Sequence, residues 1–203
     1  MARATNEKPA EVLKVAAGLF QTRGYQGTSM DDVAAGVSLN KGTIYHYFPS
    51  KAAILYEIYA QTQRAVIASI EDIDPEASPI DALDQLIRAQ LHLLVEFPAE
   101  TVVYFQEMRW ITEWFDAEQV KEIRKRERVF TQFVTDLVQR GIDEGDFAPT
   151  DAKIAAFGLI GMSAWSYQWF RPGGRRSVDD IADVFRGLML GGLRGARAPA
   201  RSR

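Results

Sequence analysis

The stretch LNKGTIYHYFPSK, residues 39–51, gathers a threonine, a serine, three aromatic rings, a histidine and two lysines into thirteen residues. Few of these side chains suit a hydrophobic core, and most of the polar ones can donate hydrogen bonds. We therefore expect this segment to meet a partner outside the chain. The residues that precede it indicate what kind of partner that is.

Two helices are predicted before this stretch. The segment PAEVLKVAAGLFQTRGY repeats apolar residues at the spacing of an amphipathic helix. Pro9 suits the first helical position, and Gly24 suits a left-handed C-terminal cap. A second helix is predicted in TSMDDVAAGV, where Ser29 caps the first turn and Asp32 stands at the capping-box position.

A third short helix is predicted over residues 41–47, after a break of three residues, SLN. Two short helices joined by such a turn form a helix-turn-helix, whose second helix enters the major groove of DNA. Asn40 caps this helix so that free N–H groups face a phosphate, and Gly42 allows a close backbone approach. Ile44 and Phe48, one turn apart, are expected to face the core. The side chains expected outside are Lys41, Thr43, Tyr45, His46 and Tyr47, followed by Lys51.

Charge and composition exclude several other classes of protein. The net charge is −3, but residues 1–51 carry six Lys/Arg against four Asp/Glu, which fits a small basic head on an acidic body. The chain has no cysteine, and its two histidines, His46 and His92, are far apart, so we expect no metal site and no cofactor. No signal peptide, membrane-spanning stretch or glycine-rich phosphate loop is visible. The sequence predicts a cytoplasmic protein that is not an enzyme.

The segment AAGLFQTRGYQGTSMDDVAAGVSLNKGTIYHYFPSKAAIL resembles the DNA-binding domain of the TetR family of repressors, and GTIYHYFPSK is its most specific part. The resemblance implies an all-α fold, with a three-helix DNA-binding domain at residues 1–51. Residues 52–203 would then form a helical ligand-binding and dimerisation domain. The partners expected are a palindromic DNA operator, a second copy of the chain and a small-molecule effector.

The same resemblance assigns roles to residues of the head. Phosphate contacts are implied for Ser29, Thr43, Tyr47 and Lys51. Base-reading positions are implied for Lys41, Gly42, Tyr45 and His46. The family's usual turn glycine falls on Ser38, which must either accept a strained dihedral angle or shift the turn slightly.

Two aromatic groups in the body predict a ligand site. One contains Tyr104, Phe105, Met108 and Arg109, and the other contains Trp165, Trp169 and Arg171. Large rings with an arginine suit a bulky apolar ligand that has an anionic end, although each ring taken alone fits an ordinary core better. YQWFRPGG followed by DDIADVFRGLMLGGL also resembles regulators of lipid or steroid breakdown that respond to acyl-CoA thioesters. We therefore expect a repressor that such a ligand releases from its operator.

Small residues in the last two predicted helices indicate a dimer. Gly158 and Gly161 lie in one of these helices, and Gly187, Gly191 and Gly195, spaced by four, lie in the other. Glycine inside a helix costs stability, so several of them need a reason such as close helix–helix approach. The alternative is close packing within one chain. For the protein as a whole, the alternative is a small all-α enzyme or ligand-binding protein whose helix-turn-helix binds protein.

Overall fold

The computed structural model describes residues 4–195, and every regular element among them is helical. The predicted all-α fold is confirmed. The helices are α1 (Ala4–Arg23), α2 (Met30–Gly36), α3 (Lys41–Tyr47), α4 (Lys51–Glu71), α5 (Pro79–Glu96), α6 (Pro98–Glu107), α7 (Ile111–Trp114), α8 (Ala117–Asp143), α9 (Ala152–Ala164), α10 (Ser166–Trp169) and α11 (Val178–Gly195). A 3₁₀ turn, Met108–Trp110, separates α6 from α7.

The ends of α1 show one wrong and one confirmed prediction. The helix begins at Ala4, so Pro9 lies inside it and not at its first position. At this position the proline lacks the N–H that would otherwise donate to the carbonyl of residue 5. At the other end Gly24 has φ of +77°, and its N–H donates to the carbonyl of Phe20 at 2.9 Å. The glycine cap is therefore confirmed.

The two helices of the predicted helix-turn-helix are present with the predicted caps. Ser29 and Asp32 form a reciprocal capping box at the start of α2. Asn40 caps α3, which spans the predicted residues 41–47. Between them Ser38 adopts φ of +52°, so the chain accepts the strained dihedral angle. The turn thus keeps its shape at the expense of local strain.

The chain folds into two compact units. The first contains the described residues up to Arg64 together with Phe97–Arg124. Residues from α1, α2, α3 and α4 share one hydrophobic core there with residues from α6, α7 and α8. This unit is larger than the predicted DNA-binding domain because distant residues complete its core. The two units are defined by packing and not by function. The predicted boundary after residue 51, between the DNA-binding domain and the ligand-binding domain, therefore stays a prediction.

The second unit contains Ala65–Glu96 and the described residues from Lys125 onward. In its core α11 packs against α5 and α9. Polar side chains line the α5–α11 contact: Arg88 pairs with Asp84 of its own helix and with Asp183 of α11, and Nε2 of His92 lies 3.1 Å from a carboxylate oxygen of Asp179. Ile181 and Leu190 are buried on the inward face of α11, and Val184 and Leu188 are exposed on its opposite face.

Candidate DNA-binding and effector sites

Helix α3 and the residue after it bury two apolar side chains, and most of the other side chains of the helix are exposed. Ile44 and Phe48 are buried in the core of the first unit. Thr43 and Tyr47 are half-buried. The exposed residues of this helix are Lys41, Gly42, Tyr45 and His46. The arrangement agrees with the predicted orientation of a recognition helix, and the contacts of these side chains with DNA stay a prediction.

The predicted cap of α3 also occupies the Thr43 hydroxyl, which was expected to contact a phosphate. The Oδ1 atom of Asn40 accepts hydrogen bonds from the Thr43 backbone N–H at 2.8 Å and from the Thr43 hydroxyl at 2.9 Å. A threonine hydroxyl has a single proton to donate. Thr43 must therefore turn its hydroxyl away from Asn40 before it can donate to a phosphate.

Ser29 is also engaged within the protein. Its hydroxyl accepts from the Asp32 N–H at 3.1 Å and donates to the Asp32 carboxylate, which in turn accepts from the Ser29 N–H at 2.8 Å. These bonds from Ser29 hold the pKa of Asp32 below its ordinary value. Arg23 adds an ion pair with Asp32 at 3.3 Å. Ser29 therefore has a structural role at the start of α2, whether or not it meets a phosphate.

Both lysines of the predicted site have partners in the chain. The Lys41 ammonium lies 2.8 Å from the Asp31 carboxylate, whose hydrogen bond and charge raise the pKa of Lys41. The Lys51 ammonium donates to the backbone carbonyls of Tyr25 and Thr28, both at 2.7 Å, and more weakly to that of Gln26 at 3.4 Å. An ammonium has three donors, so Lys51 directs all of them into the turn between α1 and α2.

The first aromatic group of the predicted ligand site belongs to the first unit. Tyr104 is buried in its core, where the hydroxyl of Tyr59 donates to the Tyr104 carbonyl at 2.8 Å. Phe105 and Met108 pack against the same core. Arg109 is exposed, and its guanidinium lies 5.1 Å from the ring centre of Trp110. Tyr104 thus fits the core alternative.

The second aromatic group belongs to the second unit. Trp165 is 61% exposed and Trp169 is 48% exposed. Arg171 is exposed, and its Nη1 atom donates to the neighbouring Phe170 carbonyl at 2.8 Å. Tryptophans so open to solvent in an isolated chain are typical of a binding surface. The joint pocket predicted for the two groups stays a prediction, since the first group belongs to the first unit and the second group to the second unit.

An apolar strip runs along the outer faces of α9 and α11. Its large side chains are between 54% and 70% exposed. A Cβ atom added at any of the strip glycines would meet nothing within 4 Å, so among the described residues the predicted alternative of close packing within one chain is wrong. The strip consists of Ile154, Phe157, Gly158 and Gly161 on α9, and of Val184, Gly187, Leu188 and Gly191 on α11.

Two simple absences accompany these sites. No helix in the described part of the chain is both long enough and apolar enough to cross a membrane. Between residues 4 and 195 no three His, Asp or Glu side chains come together in a way that could hold a metal ion.

Two parts of the chain match known protein families. Residues 12–58 match the bacterial regulatory proteins of the tetR family, and residues 76–193 match the tetracyclin repressor-like, C-terminal domain. The repressor KstR2 of Mycobacterium tuberculosis is 27% identical over 190 residues, which are 93% of this chain and 94% of that protein. The solved structure of KstR2 superimposes with a TM-score of 0.86, covering 93% of this chain and 96% of its own.

Two further solved structures are similar. PfmR of Thermus thermophilus is 28% identical with a TM-score of 0.83, covering 90% of this chain and 98% of its own. AibR, solved in complex with isovaleryl coenzyme A and operator DNA, is 27% identical with a TM-score of 0.78, covering 90% of this chain and 97% of its own.

The fold, the exposed α3 and these relatives define a helix-turn-helix transcriptional regulator. The chain belongs to the TetR family of bacterial regulatory proteins. The prediction of a DNA-binding regulator is confirmed, and the alternative of an enzyme or binding protein with a protein-binding helix-turn-helix is not supported. KstR2 is a transcriptional repressor and PfmR is a transcriptional regulator.

Proposed function

We propose that the protein is a homodimeric repressor that binds a palindromic operator through α3 and leaves it when a bulky anionic ligand binds the body. The observation that carries this proposal is α3 itself, a capped helix anchored by Ile44 and Phe48 with its polar side chains in solvent. Because it acts on the chromosome, such a protein works in the cytoplasm.

On DNA the α3 side chains divide into two groups. Lys41, Gly42, Tyr45 and His46 are exposed and read base edges in the major groove. Lys41 first leaves Asp31, which costs little because exposed ion pairs are weak. The phosphate-binding residues of the proposal are Ser29, Thr43, Tyr47 and Lys51. Lys51 reaches a phosphate only when its ammonium gives up one of its three backbone carbonyls, and the hydrogen bond to Gln26, at 3.4 Å, is the longest of them.

Dimerisation through α9 and α11 follows from the exposed strip. A second copy of the chain would cover the strip by symmetry, since a two-fold interface buries the same patch on both subunits. The strip glycines leave room for a partner helix to approach closely. A dimer also presents two copies of α3 to the two half-sites of a palindrome.

The effector proposal combines chemistry with one relative. AibR was solved with an acyl-CoA, isovaleryl coenzyme A. Exposed arginines at Arg109 and Arg171 offer cations for an anionic end. Trp165, the C-cap residue of α9, lies four residues beyond Gly161 and so stands at the end of the strip, which supports a ligand site beside the dimer interface. The AibR crystal holds acyl-CoA and operator DNA together, so an assay has to separate release from joint binding.

The head is tested with DNA that the parent protein enriches from a random-sequence library. Tyr47→Ala and Lys51→Ala should weaken binding to all sequences, and Lys51→Ala should also flatten its salt dependence. Lys41→Ala and His46→Ala should relax the preference at particular base pairs by ~1–3 kcal/mol. Lys125→Ala, which removes an exposed lysine of the body, is the matched control. Four head variants that bind like the parent would refute the assignment.

A further inference from the structure

A group of four side chains joins three parts of the first unit. Lys51, the first residue of α4, ties that helix to the turn between α1 and α2 through the carbonyls of Tyr25 and Thr28. The same ammonium lies 4.4 Å from the centre of the Tyr25 ring. Burial lowers the pKa of Lys51, which shows that its charge is partly removed from water. A lysine held in this way fixes the backbone of the turn.

The other side of Tyr25 is held from outside the helix-turn-helix. Its ring centre lies 4.9 Å from that of Trp114, at the end of α7. The Trp114 indole N–H donates to the Glu107 carboxylate at 3.1 Å. Glu107 ends α6, so this hydrogen bond spans the 3₁₀ turn between α6 and α7. Its negative charge favours the protonated form of Lys51 and opposes the burial effect on that pKa.

The turn that these side chains hold leads directly into α2. Thr28 is buried, and its hydroxyl donates to the Gly24 carbonyl at 3.0 Å. The next residue, Ser29, is the N-cap of α2. The end of α2 is joined to the residues before α3 by the Leu39 N–H, which donates to the Ala34 carbonyl at 3.1 Å. A shift of the turn is therefore passed to α2 and α3.

We infer that Glu107 and Trp114 are positioning residues for the DNA-binding helices and act through Tyr25 and Lys51. The inference rests on the proposed function, because it concerns how the head is set for DNA. It gives α6 and α7 control over the helix-turn-helix without any contact of their own with DNA. A change at the 3₁₀ turn alters the Glu107–Trp114 hydrogen bond and thereby the support under Tyr25.

Hydrogen exchange without DNA tests the structural part. Trp114→Phe keeps a ring against Tyr25 but loses the N–H, and Glu107→Gln keeps the shape but loses the charge. Both should speed amide exchange by about twofold or more over residues 24–37. Trp110→Phe is the matched control, since Trp110 is an exposed tryptophan of the same segment that stacks with Arg109. Parent-like exchange in both test variants, or equal acceleration in the control, would overturn the inference.

A double-mutant cycle tests the route through Lys51. Trp114→Phe should weaken binding to the enriched DNA by about twofold or more in the parent, and by less in a Lys51→Met background that keeps the aliphatic stem. Equal losses in the two backgrounds would overturn the route. If the parent enriches no DNA at all, the proposed function fails, whereas the exchange experiment still decides whether Glu107 and Trp114 hold the turn.

Discussion

Leu188→Ala should weaken the dimer by one to three orders of magnitude and leave the monomer folded. Leu188 lies on the outer face of α11 and is 61% exposed in the isolated chain. A side chain so open contributes little to the core of its own unit. If a second chain covers it, however, most of its apolar surface leaves water on association.

The size of the effect follows from the exposed fraction. Full burial of a leucine side chain is worth about 1.5–3 kcal/mol, so the 61% still exposed is worth about 1–2 kcal/mol. A two-fold interface contains Leu188 twice, which doubles the loss to about 2–4 kcal/mol per dimer. The dissociation constant of the dimer should therefore rise roughly 30- to 900-fold.

Sedimentation velocity over a range of protein concentrations measures this constant. Val129→Ala on α8 is the matched control, because Val129 is also an exposed apolar residue, at 48%, but lies off the strip. Gly191→Leu adds a bulky group where the chain itself leaves open space, so it should give a folded monomer as well. Both strip variants should lose operator affinity as they dissociate.

A dissociation constant that Leu188→Ala changes by less than about twofold would refute the proposed interface. If Val129→Ala weakens the dimer as much as Leu188→Ala does, the interface lies on another surface. A lower melting temperature of the Leu188→Ala monomer would mean that Leu188 contributes to its own core, contrary to its exposure.

Three further predictions concern the head and the effector. Ser38→Gly should raise the melting temperature, because φ of +52° costs a non-glycine residue about 1 kcal/mol or more; an unchanged value would argue against strain. Ser29→Ala should lower the melting temperature by about 2–4 °C at neutral pH. The hydrogen bonds with Ser29 lower the pKa of Asp32 in the folded protein, so they stabilise the fold fully at pH values above the ordinary pKa of 3.8. This stabilisation is lost as the pH falls through the lower pKa of the folded state. The difference in melting temperature between Ser29→Ala and the parent should therefore shrink in acid. A difference independent of pH would contradict this. Arg109→Ala or Arg171→Ala should raise the dissociation constant of a long-chain acyl-CoA by about tenfold or more, measured by quenching of tryptophan fluorescence. If both variants bind it like the parent, neither arginine contacts the anion.

Local chemistry made the helix-turn-helix predictable from the sequence. Ser29 and Asn40 cap helices through atoms within three residues, so short motifs were enough to locate α2 and α3. Ser38 is different, because its two alternatives, a strained dihedral angle or a shifted turn, came from the resemblance, and the structure shows the first of them. Pro9 misled because the rule for the first helical position cannot exclude a helix that begins one turn earlier.

Contacts distant in sequence could not be predicted. The partners of Lys51 are backbone carbonyls, which carry no residue-specific signal. Tyr25 and Trp114 meet only because α6 and α7 join the core of the first unit, and no periodicity reveals that. Similarly, periodicity marks which residues of α11 are apolar, but only the fold shows which of its faces remains exposed.

The divided first unit has a consequence for synthesis of the chain on the ribosome. Its core needs Val103, Phe115 and Ile123 beside residues of α1 and α4, and the last of these arrives about 60 residues after the segment that ends at Arg64. At typical translation rates the delay is roughly 3–12 s. During that time the nascent helix-turn-helix exposes the apolar surface that α6 and α8 later cover. The DNA-binding head is encoded first, yet it completes its folding only after residue 124 has left the ribosome.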